Sequence, residues 1–103
     1  MEKMIGSFEI DGEKVNLIAA QFQQGKGLAI VMEAEDGTPW GRLSVNLPSR
    51  AKLLKDDREC FVKAHHENQP MLEPVLATGL VRATGRVIDG YPIWRLDDCV
   101  VIS

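Results

Sequence analysis

The sequence predicts an α+β fold, an antiparallel β-sheet opened by a four-stranded meander and continued by later strands, with one short helix packed on it. Three observations predict it. The dipeptides Asp11-Gly12, Asp36-Gly37 and Asp89-Gly90 each separate two short apolar runs, and Asp-Gly is a preferred turn for a two-residue hairpin. Several of the runs alternate apolar and polar residues with the period of two expected of half-buried strands. One stretch alone, Asn68 to Gly79, changes to helical spacing.

The elements follow in chain order. Met4–Ile10 is the first strand, with Met4, Phe8 and Ile10 on one parity, interrupted by Gly6, and Ser7 and Glu9 on the other. Glu13–Phe22 is the second. Its parities compete, Val15, Leu17 and Ala19 against Ile18, Ala20 and Phe22, which predicts a strand covered on both sides or carrying a bulge. The polar, glycine-bearing turn Gln23–Gly27 leads to Leu28–Glu35, where Leu28, Ile30 and Met32 share a face. Pro39–Leu47 is the fourth strand, with Leu43, Val45 and Leu47 facing one way and Arg42, Ser44 and Asn46 the other. A charged connection, Arg50–Arg58, reads as solvated surface and leads to a short strand at Glu59–Ala64 anchored by Phe61. Leu72, Val75, Leu76 and Leu80 repeat at helical spacing. Asn68 is a candidate N-cap, and Pro70 and Pro74 confine the regular helix to about Glu73–Thr78, with Gly79 just past its end. Val81–Val87 and Tyr91–Leu96 form the last hairpin, and Cys99–Ile102 is either an edge strand or an exposed tail.

At 103 residues and 11.4 kDa the chain is expected to be a single domain, 1–103, burying about two-thirds of its unfolded surface. A content of 45% hydrophobic and 26% charged residues excludes disorder and collagen-like repeats. No apolar run approaches the ~20 residues of a membrane span, and Met1-Glu2-Lys3-Met4 has no secretory apolar region, so a cytoplasmic protein is expected. A net charge of -3 argues against direct nucleic-acid binding, which needs a basic face.

Candidate chemistry is sparse. Cys60, His65, His66 and Cys99 are potential zinc ligands, but their spacing is not that of a structural site, and adjacent histidines on a strand point to opposite faces. Buried thiols rather than a Cys60–Cys99 disulfide are expected in a reducing compartment. No nucleophile elbow accompanies the Cys-His pairs, and Gly25-Lys26-Gly27 is too short for a phosphate loop. The expectation is a non-enzymatic protein with no metal and no cofactor. Trp40 and Trp94, each within two residues of a proline, read either as core packing or as an aromatic contact surface supported by Arg42, Arg86 and Arg95. Strand parity selects the candidate contact residues: with Leu43 facing the core, Trp40, Arg42 and Ser44 turn outward together, with help from Trp94 and Arg95.

The succession Gly6–Gly12, Leu28-Ala29-Ile30, Asp36–Pro39, Leu43–Pro48, Phe61-Val62-Lys63, Glu67-Asn68, Thr78–Val81, Thr84-Gly85-Arg86 and Pro92–Leu96 resembles a family of small bacterial proteins of unknown function carried by phages, plasmids and conjugative elements. The resemblance brings no catalytic or ligand motif. It implies a mobile-element protein that binds and blocks a bacterial host protein, such as a CRISPR-Cas or other defence complex. The alternative is a structural or assembly module, homodimeric through a sheet edge at Cys99–Ile102.

Overall fold

Among the described residues of the computed structural model, 2–21, 28–64 and 68–100, the chain forms two four-stranded antiparallel sheets and one α-helix. The first sheet is the expected meander: β1 (Lys3–Ile10), β2 (Glu13–Gln21), β3 (Leu28–Ala34) and β4 (Pro39–Arg42), in that order. The second runs β5-β6-β8-β7, from β5 (Ser44–Val45), β6 (Glu59–Val62), β7 (Val81–Ile88) and β8 (Tyr91–Leu96). The turn signals operate as the physics requires. Asp11 and Asp89 adopt φ of 52° and 53° and the glycines after them 78° and 83°, so both central residues take the left-handed geometry that a two-residue hairpin needs. Asp36-Gly37 works differently. Gly37 N–H bonds the Ala34 carbonyl (2.9 Å), Ala34 N–H bonds the Thr38 carbonyl (2.9 Å), and Gly37 alone has positive φ, making a longer loop closed by a left-handed glycine.

Two parity expectations are corrected, one by a register shift in β1 and one by a corner in the fourth strand. In β1 a bulge between Met4 and Gly6 pairs Met4 with Ile18 and Gly6 with Leu17, so Met4 leaves the Phe8 face and is 51% exposed. In β2, expected to be covered on both sides or bulged, Val15, Leu17 and Ala19 are buried and Asn16, Ile18 and Ala20 half-buried, and its pairing to β3 runs without a shift. The expected fourth strand, Pro39–Leu47, divides at Leu43. Leu43 N–H still bonds the Ile30 carbonyl of the first sheet (2.9 Å), while its own carbonyl accepts Lys63 N–H beside the second (2.8 Å). The chain thus turns a corner from one sheet into the other, with Leu43 fully buried at the seam.

The helix α1 (Gln69–Ala77) begins earlier than expected. Pro70 sits in its first turn, where a missing N–H costs nothing, and Pro74 is accommodated inside, removing only the bond back to Pro70. Burial of Met71 and Val75 against the core offsets that loss, and Gly79, at φ 76°, ends the helix. The helix packs on β1 and β7, the outer strands of the two sheets, and closes the core between them. Leu80 lies so close to Gly6 on β1 that a Cβ at Gly6 would collide with it.

The core joins Phe8, Leu17, Ile30 and Met32 of the first sheet to Cys60, Val62, Trp94 and Leu96 of the second and to Met71 and Val75 of the helix. Phe61 and Ile93, paired across β6 and β8, are buried on the opposite face of the second sheet. That face is crossed by the segment expected to be merely solvated. It contains a 3₁₀ turn, Pro48–Leu53, with Ala51 buried. The segment is tied down along its length: Arg50 to Asp89 (2.6 Å), the Leu53 carbonyl to Arg86 (3.2 Å), Lys55 N–H to Glu59 (2.8 Å) and Asp56 to Arg95 (2.7 Å). At the C-terminal side, Asp97–Val100 is turn rather than strand, its carbonyls at 97 and 100 held by Arg58. Residues 101–103, His65, His66 and the Gln23–Gly27 turn lie outside the described residues. No helix of the described residues is long and apolar enough to cross a membrane.

Candidate functional site

Of Trp40, Arg42 and Ser44, which parity turns outward together, Arg42 alone remains fully where parity puts it, and the helping residues Trp94 and Arg95 lie elsewhere. Arg42 stands opposite Val31 on the face of the meander turned from the core. Trp40 is the extra residue of a second bulge, since Met32 pairs with Gly41 but Glu33 with Pro39. The bulge swings its indole toward the start of the helix, where Nε1 donates to Met71 Sδ at 3.1 Å, and Trp40 stays 36% exposed. Ser44 lies beyond the corner and is 1% exposed. Its Oγ accepts Ile30 N–H at 2.8 Å, supplying the partner that the β3 backbone loses where β4 leaves it. Trp94 is a core residue at 4% exposure, because β8 is an inner strand, paired to Cys60 on one side and Ala83 on the other.

Arg95 belongs to a different place, on the far face of the second sheet. There Glu59 is 2% exposed, yet its carboxylate is paired with Arg86 Nη2, accepts Lys55 N–H at 2.8 Å and lies 4.0 Å from Arg95 Nη1. Arg95 Nη1 donates to both Asp56 oxygens, at 2.8 and 2.7 Å, and these hydrogen bonds hold the Asp56 carboxyl below its ordinary range. Arg86 is aimed by a bulge in β7 between Ala83 and Val87. Gly85 takes φ 86°, and Thr84 Oγ1 accepts Arg86 N–H while donating to the Ile93 carbonyl. Lys55, Asp56, Glu59, Thr84, Arg86 and Arg95 line an open cleft of ≈ 520 Å³.

Around Arg42 the structure adds residues that parity alone misses. Read across the strands, Met4 pairs with Ile18, Ile18 with Val31, and Val31 with Arg42. These four form one row over all four strands of the meander, on the side away from Phe8, Leu17 and Met32. The row begins at a half-exposed methionine, crosses two half-buried β-branched residues and ends at an exposed guanidinium. The signal for it was the competing parity of Ile18 and Ala20 in β2. What hides it in the sequence is the β1 bulge, which alone brings Met4 onto that face.

The row is held rigid at its Arg42 end. Asn68 Nδ2 donates to the Arg42 carbonyl (2.9 Å) and the Lys63 carbonyl (3.0 Å), bridging the corner from the base of the helix. Asn68 is 2% exposed and makes no side-chain cap, so its expected capping role is replaced by this bridge. Of the thiols, Cys60 is buried and Cys99 exposed. Burial, with Glu59 adjacent, pushes the Cys60 thiol up to about 12.

No family model matches the chain, and no curated protein and no solved structure matches it.

Proposed function

We propose that this chain is a non-enzymatic protein-binding module that docks through the outer face of the meander. The observation that carries the reading is the row Met4–Ile18–Val31–Arg42. It combines apolar area with a terminal arginine on a four-stranded sheet, so binding orders little that is not already ordered. Aliphatic side chains supply desolvation, and Arg42 selects a partner that presents a carboxylate or a carbonyl. The resemblance to mobile-element proteins supports a bacterial host-defence complex as the partner and the host cytoplasm as the place of action, with inhibition of the anti-CRISPR kind as the outcome.

The test combines capture and assay. The tagged chain is used to capture a defence complex from a bacterial lysate, and the purified complex is then assayed for target cleavage with and without the chain. Wild-type protein should bind and inhibit. Arg42→Glu should weaken binding at least tenfold, about 1.4 kcal/mol, while changing stability by less than ~0.5 kcal/mol, because Arg42 is exposed and its backbone contacts survive. A folded Arg42→Glu variant that binds as tightly as wild type would sink the site, and a captured complex whose cleavage is unaffected would sink inhibition.

A further inference from the structure

We propose that the cleft between the 48–58 segment and the second sheet is a binding site for a phosphate dianion, entered by displacement of the Asp56 carboxylate. The cleft is built on the face opposite the core and shares no residue with the row ending at Arg42. Its floor is fixed. Glu59 is 2% exposed and held by both Arg86 and the Lys55 N–H, and the β7 bulge and Thr84 lock the backbone that carries Arg86. Its mouth is open to solvent and is closed by Asp56, which accepts both Arg95 hydrogen bonds and the Arg58 N–H. The Asp56 side chain is 40% exposed, and Arg95 and Arg86 keep 24% and 32% of their side-chain surface.

Charge decides which anion enters. Lys55, Asp56, Glu59, Arg86 and Arg95 all line the cleft, Arg86 paired with Glu59 and Arg95 with Asp56, and among the described residues Lys55 makes no ion pair. When Asp56 swings outward, the lining residues keep three cations against one carboxylate, a surplus of two positive charges within the cleft, with Asp98 acting on Arg95 from outside its lining. A carboxylate ligand would replace Asp56 like for like and gain little from Arg95. A phosphate monoester, carrying close to two charges near neutral pH, matches the surplus and can use Arg95 and Lys55 together. The ≈ 520 Å³ cleft leaves room for a group attached to the phosphate.

The experiment titrates the full-length chain with inorganic phosphate, adenosine 5′-monophosphate and acetate at matched ionic strength, read by backbone amide chemical shifts. Phosphate should shift the amides of Lys55, Asp56, Thr84, Arg86 and Arg95 together, and acetate should bind at least tenfold more weakly. Adenosine monophosphate binding tighter than phosphate identifies a phosphate carried on a larger group, and equal binding identifies the free anion. Asp56→Asn removes the competing charge and keeps the oxygen that accepts Arg58 N–H, so it should tighten phosphate binding several-fold. Arg95→Gln should weaken it at least tenfold. Arg86 is left unchanged, because removing it would strand the buried Glu59 charge and confuse binding with unfolding. Acetate binding equal to phosphate, undiminished binding by a folded Arg95→Gln variant, or no shifts with either wild type or Asp56→Asn in the millimolar range would each overturn the proposal.

Discussion

Asn68 separates two physical accounts of the same residue, and the corner of the fold depends on which is right. As a helix N-cap it would be replaceable by aspartate at almost no cost, since Asp and Asn cap equally well. As a bridge it is a donor: Nδ2 serves the Arg42 and Lys63 carbonyls at 2.9 and 3.0 Å from a position 2% exposed. Asn68→Ala then loses two hydrogen bonds and leaves two carbonyls with poor access to water. At ~1–1.5 kcal/mol each, the expected loss is about 2.5 kcal/mol. That is a large part of the roughly 5–15 kcal/mol that holds such a domain together, and it corresponds to a fall in Tm of roughly 10 °C. Asn68→Asp should cost at least as much as alanine, because it sets a carboxylate against two carbonyl oxygens. The assay is a urea or guanidinium titration at constant m-value, with tryptophan emission followed in parallel, since Trp40 rests on Met71 just beyond this bridge. An Asn68→Asp variant within ~0.5 kcal/mol of wild type would restore the capping account and refute the bridge.

Other perturbations probe the remaining parts of the fold. At pH 8 a disulfide reagent should titrate one thiol, Cys99, in the native protein, and Cys60, pushed up to about 12, only after denaturation; fast modification of both thiols would place Cys60 outside the core. Asp56 has a carboxyl held below its unfolded value, so its contribution is present above the ordinary carboxylate range and is lost as pH falls through the lower folded value. Asp56→Asn should flatten that acid limb of a stability-against-pH curve, and an unchanged limb would remove the Arg95 pairing. Gly85→Ala forces a side chain into φ 86° at the bulge that aims Arg86, and should destabilise by about 1–2 kcal/mol in a thermal melt; a neutral substitution would mean that the bulge relaxes freely.

Most of the fold was legible because its signals are local. The Asp-Gly turns at 11–12 and 89–90 need only their own backbone geometry, and the helix end at Gly79 likewise needs only a residue that tolerates positive φ. The helix start was not legible, because Pro74 argues locally for a late beginning while the burial of Met71, a tertiary effect, draws the first turn back to Gln69. The fourth strand failed for a related reason. Nothing between Pro39 and Leu47 marks Leu43 as a corner, because the corner is made by partners distant in sequence, Ile30 on one sheet and Lys63 on the other.

The candidate site shows why strand parity is a fragile guide to surfaces. Parity assumes an unbroken count of two, and β4 breaks that count twice within five residues, at the Trp40 bulge and again at the Leu43 corner. Of the expected trio, Arg42 lies between the two breaks and keeps its outward direction, while Trp40 leans on the helix with 36% of its surface still exposed and Ser44 turns into the core. The β1 bulge works the other way and adds Met4 to the face that Arg42 terminates. Register shifts therefore both dismantle the surface expected from the sequence and assemble the one observed. The Arg95 cleft was hidden for a different reason: Glu59, Arg86 and Arg95 come from three strands, and a buried carboxylate in an otherwise apolar strand is visible in the sequence only as a charge beside Cys60. Its burial is tolerable because two guanidiniums and a backbone N–H surround it. That arrangement makes Glu59 the fixed point of the cleft and leaves Asp56 as the group that can give way.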